Sequence, residues 1–356
     1  MSSGQNSSHL CLGQVTFAAA SAVNTVFYAY VYLCVPPEDY PIATAGIHAS
    51  YHLGNICGSL LGELLVTSFQ TELTTLFYLS MCSTTIGLVC FVVFLPAPTK
   101  QHAHLQPSAH GSAEGWSVRW VRLKQEVVVL YRDVPAVRTA AAWWVAAYSA
   151  NLLAGNYYQT MLYNADQDAN FGFAEAALEL GGVTGSAAYV CWAGYCSSGS
   201  GSGSGGGHGD ASHARRVEWF LAGALVATAM LHSVASGCGG SGAAGAHTEN
   251  GSPWLLMAVL VGAAGLYSSA LALASVVTAA SVGTTAPALI FSINNFGALS
   301  FVSSGLVVAS TAQLGTAGYF RAAAVLTATA SLFLLWLGGR ARHDDDAAAA
   351  AGRPRD

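Results

Sequence analysis

VPAVRTAAAWWVAAYSANLLAGNYYQTMLY, residues 134–163, decides the fold. Its only charge is Arg138, four residues after its start. Thirty residues of helix rise about 45 Å, more than the ~30 Å hydrocarbon core of a bilayer. Pro135 falls in the first turn, where a missing N–H costs little. Trp143 and Trp144 occupy the first half, and Asn151, Asn156, Tyr157, Tyr158 and Gln159 the second. A helix facing only lipid has no use for these polar groups, whereas one lining a watered cavity does.

The rest of the chain agrees. Hydrophobic residues make up 53% of the 356 and charged ones 9%, where soluble domains run near 25% charged. Mean hydropathy is +0.46. The composition therefore reads as an all-α integral membrane protein. A net charge of −5, lying mostly in loops and tails, gives no reason to expect nucleic acid. The eight cysteines are scattered, with no metal-site or disulfide spacing.

Nine spans are expected, at 11–35, 42–67, 73–95, 134–160, 171–195, 216–236, 254–281, 285–310 and 315–338. Residues 96–133 form a long basic connection, and 197–213 are mostly Ser and Gly, read as a flexible linker. Residues 341–356 are a solvated tail. The basic segments at 96–133, Arg215-Arg216 and Arg340/Arg342 all fall on one side, which the positive-inside rule makes cytoplasmic. The sequons at Asn6 and Asn250 then land outside as glycosylation candidates. Gly54, Gly58 and Gly62 share one helix face and are expected to admit another helix closely.

Polar residues at membrane depth are candidates for function. Asn24 and Tyr28 lie one turn apart, as do His48 and His52, and Glu175 and Glu179. Two His at that spacing suit a metal, but no third ligand is near, so no metal or other cofactor is expected. Glu63 approaches a membrane interface. Asn294 and Asn295 sit among apolar residues, and Tyr267 could reach the same cavity. No Walker, Gly-x-Ser-x-Gly, zincin or dinucleotide fingerprint is present, so an enzyme is not expected. Polar groups from several helices meeting near the midplane suit a secondary transporter.

Several segments resemble one family in order. Tyr131-Arg132-Asp133, Trp143-Trp144 and Asn156-Tyr157-Tyr158-Gln159 are similar to the seventh helix of the reduced folate carrier and thiamine transporter family, within the major facilitator superfamily. Gly172 to Ala176 resembles its eighth-helix start, and Phe291 to Phe296 its eleventh helix. Phe27 to Val31 with Tyr40 resembles its fourth helix, and Ser59 to Leu65 its fifth. The resemblance implies a major-facilitator-like bundle that begins at the fourth helix. Residues 1–95 would be a three-helix remnant of the first bundle, 96–133 the central cytoplasmic loop and 134–340 the second, six-helix bundle.

The resemblance also implies departures. The fourth-helix Arg of folate carriers, Glu in thiamine carriers, falls on Asn24. Their tenth- and eleventh-helix basic residues fall on Tyr267 and Val302, and their fifth-helix Arg on His48, a side chain that charges near neutral pH. Folate, a dianion, is accordingly disfavoured against a thiamine-like cation, for which Glu175 and the aromatics Tyr28, Trp144 and Tyr157 offer a carboxylate and a wall. The expected substrate-binding set is Asn24, Tyr28, His48, Trp144, Asn156, Tyr157, Glu175, Tyr267 and Asn294. The expectation is a multi-pass plasma-membrane carrier of a small-molecule vitamin, embedded in the lipid bilayer. Proton coupling through His48 and assembly of two copies are further expectations. The competing reading is a truncated, non-transporting membrane protein that binds a partner or is inactive.

Overall fold

The computed structural model describes residues 27–94, 116–198, 208–238, 252–282, 287–311 and 315–350. Among them every long element is a helix, and the molecule is an all-α membrane bundle. The helices are α1 (27–34), α2 (Tyr40–Thr67), α3 (Leu73–Phe94), α4 (Trp116–Asp133), α5 (Pro135–Ala165), α6 (Phe171–Ser198), α7 (His208–Cys238), α8 (Pro253–Val282), α9 (Pro287–Thr311) and α10 (Thr316–Ala350).

The expected spans fall on helices wherever they are described, with three differences. α4 occupies the second half of the expected loop 96–133. α7 begins at His208, inside the stretch read as a Ser/Gly linker, and α6 runs to Ser198. α10 continues to Ala350, beyond the expected start of the tail. The tail begins Ala-Arg-His-Asp-Asp-Asp and runs on into alanines from 347, which are strong helix formers.

α5 is the hub. Pro135 sets its first turn behind an extended Val134, and the chain leaves it through an extended Asp166. The Asp166 side chain accepts the N–H of Asp168 at 3.0 Å, turning the chain toward α6. Asn170 then caps α6, its Oδ1 accepting the Phe173 N–H at 3.0 Å. α5 packs against α4, α7, α8, α9 and α10. Alanines at 140, 141, 146, 147, 150 and 154 are buried along it and let its neighbours in closely. Larger side chains fill the layers between: Trp143, Leu221, Leu225 and Phe291 in one cluster, and Met161, Leu256, Leu260 and Phe320 in another.

Among the described helices, α3, α7, α8 and α10 carry stretches long and apolar enough to cross a membrane outright, and α9 a shorter one. α2, α5 and α6 fall below that hydropathy because they carry the polar residues that line the cavity described next.

The expected use of Gly54, Gly58 and Gly62 needs correction. Among the described residues, nothing stands within 4 Å of where a Cβ would project at any of the three. The close approach is made by α6 instead. Gly181 and Gly185 lie against the backbone of Val261 and Gly265 in α8, and Gly182 lies against the His52 ring of α2. α2 turns the other way, and its His52 and Asn55 find hydrogen-bond partners on α6 and α8.

Candidate functional site

A cavity of about 550 Å³ lies between α1, α2, α5, α6, α7, α8 and α9. Each helix contributes one face. On α5 the lining follows Trp144, Tyr148, Asn151, Gly155 and Tyr158, which recur every three or four positions as one helical stripe does, with Ala154, Asn156 and Gln159 beside them. On α2 they are His48, Tyr51 and His52, and on α6 Glu175, Leu178 and Glu179. Tyr267, Ser268 and Ser275 come from α8, His232 from α7 and Asn295 from α9.

Two carboxylates enter this space, and the described lining residues include no Lys or Arg. Glu175 accepts a hydrogen bond from the Tyr158 hydroxyl, which in turn accepts one from Gln159 Nε2 at 3.0 Å. Glu179 is bonded through both oxygens. Its Oε2 pairs with His52 Nδ1, and its Oε1 accepts from Asn55 Nδ2 at 2.9 Å. The far nitrogen of the same imidazole lies 3.1 Å from Ser268 Oγ. α2, α6 and α8 therefore meet at one histidine.

Aromatic rings form much of the wall. Tyr28 stacks on His48 with ring centroids 5.2 Å apart, and Tyr267 lies parallel to Trp143 at 6.2 Å. Trp144 donates its indole N–H to Asn295 Oδ1 at 2.8 Å and packs on Phe291. Three polar atoms of the lining residues are buried without a hydrogen-bond partner among the described residues: His48 Nε2, His232 Nδ1 and the Tyr267 hydroxyl. Buried polar groups are rarely left unmade, and in a cavity of this size these three can be met by water or by a ligand.

Of the residues expected to bind substrate, Tyr28, His48, Trp144, Asn156, Glu175 and Tyr267 line this cavity. Tyr157 and Asn294 do not. Tyr157 stacks on Tyr319, ring centroids 3.8 Å apart, between α5 and α10. It lies one residue, about 100°, off the lining stripe, and Tyr158 holds the place expected of it. Asn294 is 2% exposed and accepts a hydrogen bond from Tyr131 of α4 at 2.7 Å, while its neighbour Asn295 lines the cavity. Asn24, Asn6 and Asn250 lie outside the described residues.

His52, Tyr148, Tyr158, Glu179, His232 and Ser268 complete the site. His52 and Glu179 were detectable as the one-turn partners of His48 and Glu175. Tyr148 and Tyr158 were detectable from the period that begins at Trp144. Ser268 carried no signal of its own.

The profile of the reduced folate carrier family matches residues 1–116. Among curated proteins, the chain is 24% identical over 188 residues to Folate transporter 1 of Caenorhabditis elegans, which is 46% of this chain and 40% of that protein. It is 26% identical over 214 residues to the Reduced folate transporter of Homo sapiens, 52% of this chain and 36% of the relative. It is 31% identical over 84 residues to Thiamine transporter 2 of Mus musculus, 24% of this chain and 17% of the relative. The chain thus spans less than half the length of the curated relatives it matches.

Proposed function

We propose that this chain, a member of the reduced folate carrier and thiamine transporter family, is a membrane carrier whose substrate is a vitamin-sized organic cation of the thiamine kind. The observation that carries the choice is the cavity's charge: two carboxylates and no Lys or Arg among its described lining residues. A folate dianion would bring its carboxylates into a space that already holds two, with no guanidinium to receive them. A cationic ring is attracted both by carboxylates and by aromatic faces. Glu175, Trp144 and the tyrosines 28, 148 and 267 supply both. The unpartnered nitrogens of His48 and His232 would meet the polar edge of such a ring.

Transport would proceed by rocking of α1–α3 against α5–α10 around this cavity, the usual working of carriers with a midplane site. Residence in the plasma membrane belongs to this reading and is checked by surface biotinylation.

Binding tests the substrate directly. Purified full-length protein in detergent should be stabilised against heat by thiamine and not by folate, with the upward shift growing as ligand concentration passes the dissociation constant. Stabilisation by folate alone would reverse the charge argument. Indifference to both, for protein that is folded and surface-expressed, would favour a non-transporting membrane protein.

A further inference from the structure

We propose that the His52–Glu179 pair is a proton site that clasps α2 to α6, so that acidity holds this seam shut and alkalinity lets it part. The seam is the contact between the two groups of helices that must separate in the carrier reading, on which this inference rests. Along it, Glu63 Oε2 accepts the Gly172 N–H at 3.1 Å near the Thr67 end of α2. Deeper in, His52 and Asn55 of α2 hold the two oxygens of Glu179. Gly182 makes room for the imidazole, since a Cβ there would overlap the ring.

The geometry suits a proton that comes and goes. The side chains of His52 and Glu179 keep 15% and 13% of their exposure and line the cavity, so water reaches them. A neutral imidazole donates Nδ1–H to Glu179 and accepts the Ser268 hydroxyl at Nε2. A charged imidazole donates from both nitrogens to the same two partners. Both forms are satisfied, so the proton changes how strongly the seam holds, not whether it forms. The charged ring adds an ion pair that opening must separate.

The titratable groups facing the pair are few. His48 and Tyr51 share α2, Glu175 shares α6, and Tyr267 faces them from α8, with Tyr148 and Tyr158 across the cavity on α5. Phenols ordinarily titrate near 10 and keep their protons through the range below. His48 is the rival histidine. It stacks on Tyr28, and its Nε2 has no hydrogen-bond partner among the described residues.

The test uses the full chain in lipid bilayers. Native cysteines are replaced, and spin labels are placed at Ser68→Cys and Gln167→Cys, two exposed positions just beyond α2 and just before α6. Distances are measured by pulsed electron resonance near pH 5.5 and near pH 8, which bracket histidine titration. The longer-distance population should grow by about fivefold on going to the higher pH, the upper range for a partly exposed ion pair. The change should vanish in His52→Gln and persist in His48→Gln. A pH-indifferent parent, a response that survives His52→Gln, or one that His48→Gln abolishes would overturn the proposal. Should His52→Gln fail to fold, Glu179→Gln must give the same flat response. The readout needs no substrate. A His52-dependent seam in a chain that binds no thiamine defeats only the substrate assignment. Thiamine binding with an indifferent seam defeats only the clasp.

Discussion

Helix α6 has two seams, and they are built from opposite materials. Toward α8 it presents Gly181 and Gly185, and the backbones of the two helices touch. Toward α2 it presents Glu179, which is reached by a histidine and an asparagine. Lipid supplies no hydrophobic drive to press helices together, so close packing and interhelical hydrogen bonds must do it. The glycine seam gains by backbone contact and by the Ser269 hydroxyl of α8, which donates to the Gly185 carbonyl at 2.8 Å, and it carries no ionisable pair. The polar seam can trade its partners for water or for a ligand. One is fitted to stay closed and the other to open.

The largest effect should come from breaking the glycine seam. A Cβ at 185 would overlap the backbone carbonyl of Gly265, and backbone cannot swing aside. Gly185→Leu should cost more than about 3 kcal/mol and leave little folded protein, as read by thermal unfolding and surface biotinylation. A stable, surface-expressed Gly185→Leu would show that this seam is not tightly closed. Gly182→Ala should do less to the fold, because the obstacle is the His52 side chain, which can rotate away. The expected cost is about 1–2 kcal/mol. The loss appears mainly in the pH response of the α2–α6 distance, and a normal response would separate the clasp from His52.

Tyr131→Phe serves as a control for both seams. It removes the hydroxyl that donates to Asn294 Oδ1 from α4, away from α6, and should cost about 1 kcal/mol. Burial pushes the Tyr131 phenol up to about 12, so it remains a neutral donor at any physiological pH. The sign follows: the folded form holds its proton more tightly than the unfolded chain. Its contribution is therefore constant below about pH 10 and falls as pH climbs from there toward 12. Spin-label distances across the α2–α6 seam should be unmoved by this substitution. Gly58→Ala should have the smallest effect. With open space around it, the change should be neutral or stabilising by up to about 1 kcal/mol in thermal unfolding. A marked loss would reveal a partner for that face of α2.

The same contrast explains what the sequence could show. Helices announce themselves through long apolar runs, and α2, α3, α5, α6, α8 and α9 all lie close to their expected spans. Glycines at 54, 58 and 62 share a face as plainly as 181 and 185 do, yet among the described residues only the second set meets another helix. Spacing tells which face is smooth and not what stands opposite. The cavity residues divide in the same way. Trp144, Glu175 and Tyr267 were legible because polar or aromatic groups stand out in apolar helices. Tyr157 and Asn294 were misplaced by a single residue, since adjacent positions point about 100° apart and either member of each pair looked suitable. The meeting of His52 with Glu179 joins residues far apart in sequence and was beyond any local pattern.

The role of the polar face of α6 is tested most directly by uptake of labelled thiamine and labelled folate. Cells should express the parent chain and the Glu175→Gln/Glu179→Gln double variant, each matched for surface amount. The parent should take up thiamine saturably and no folate, and neutralising both carboxylates should cut thiamine uptake at least about tenfold, the worth of roughly one charge-assisted contact. Saturable folate uptake, or thiamine uptake undiminished in the double variant, would contradict that role.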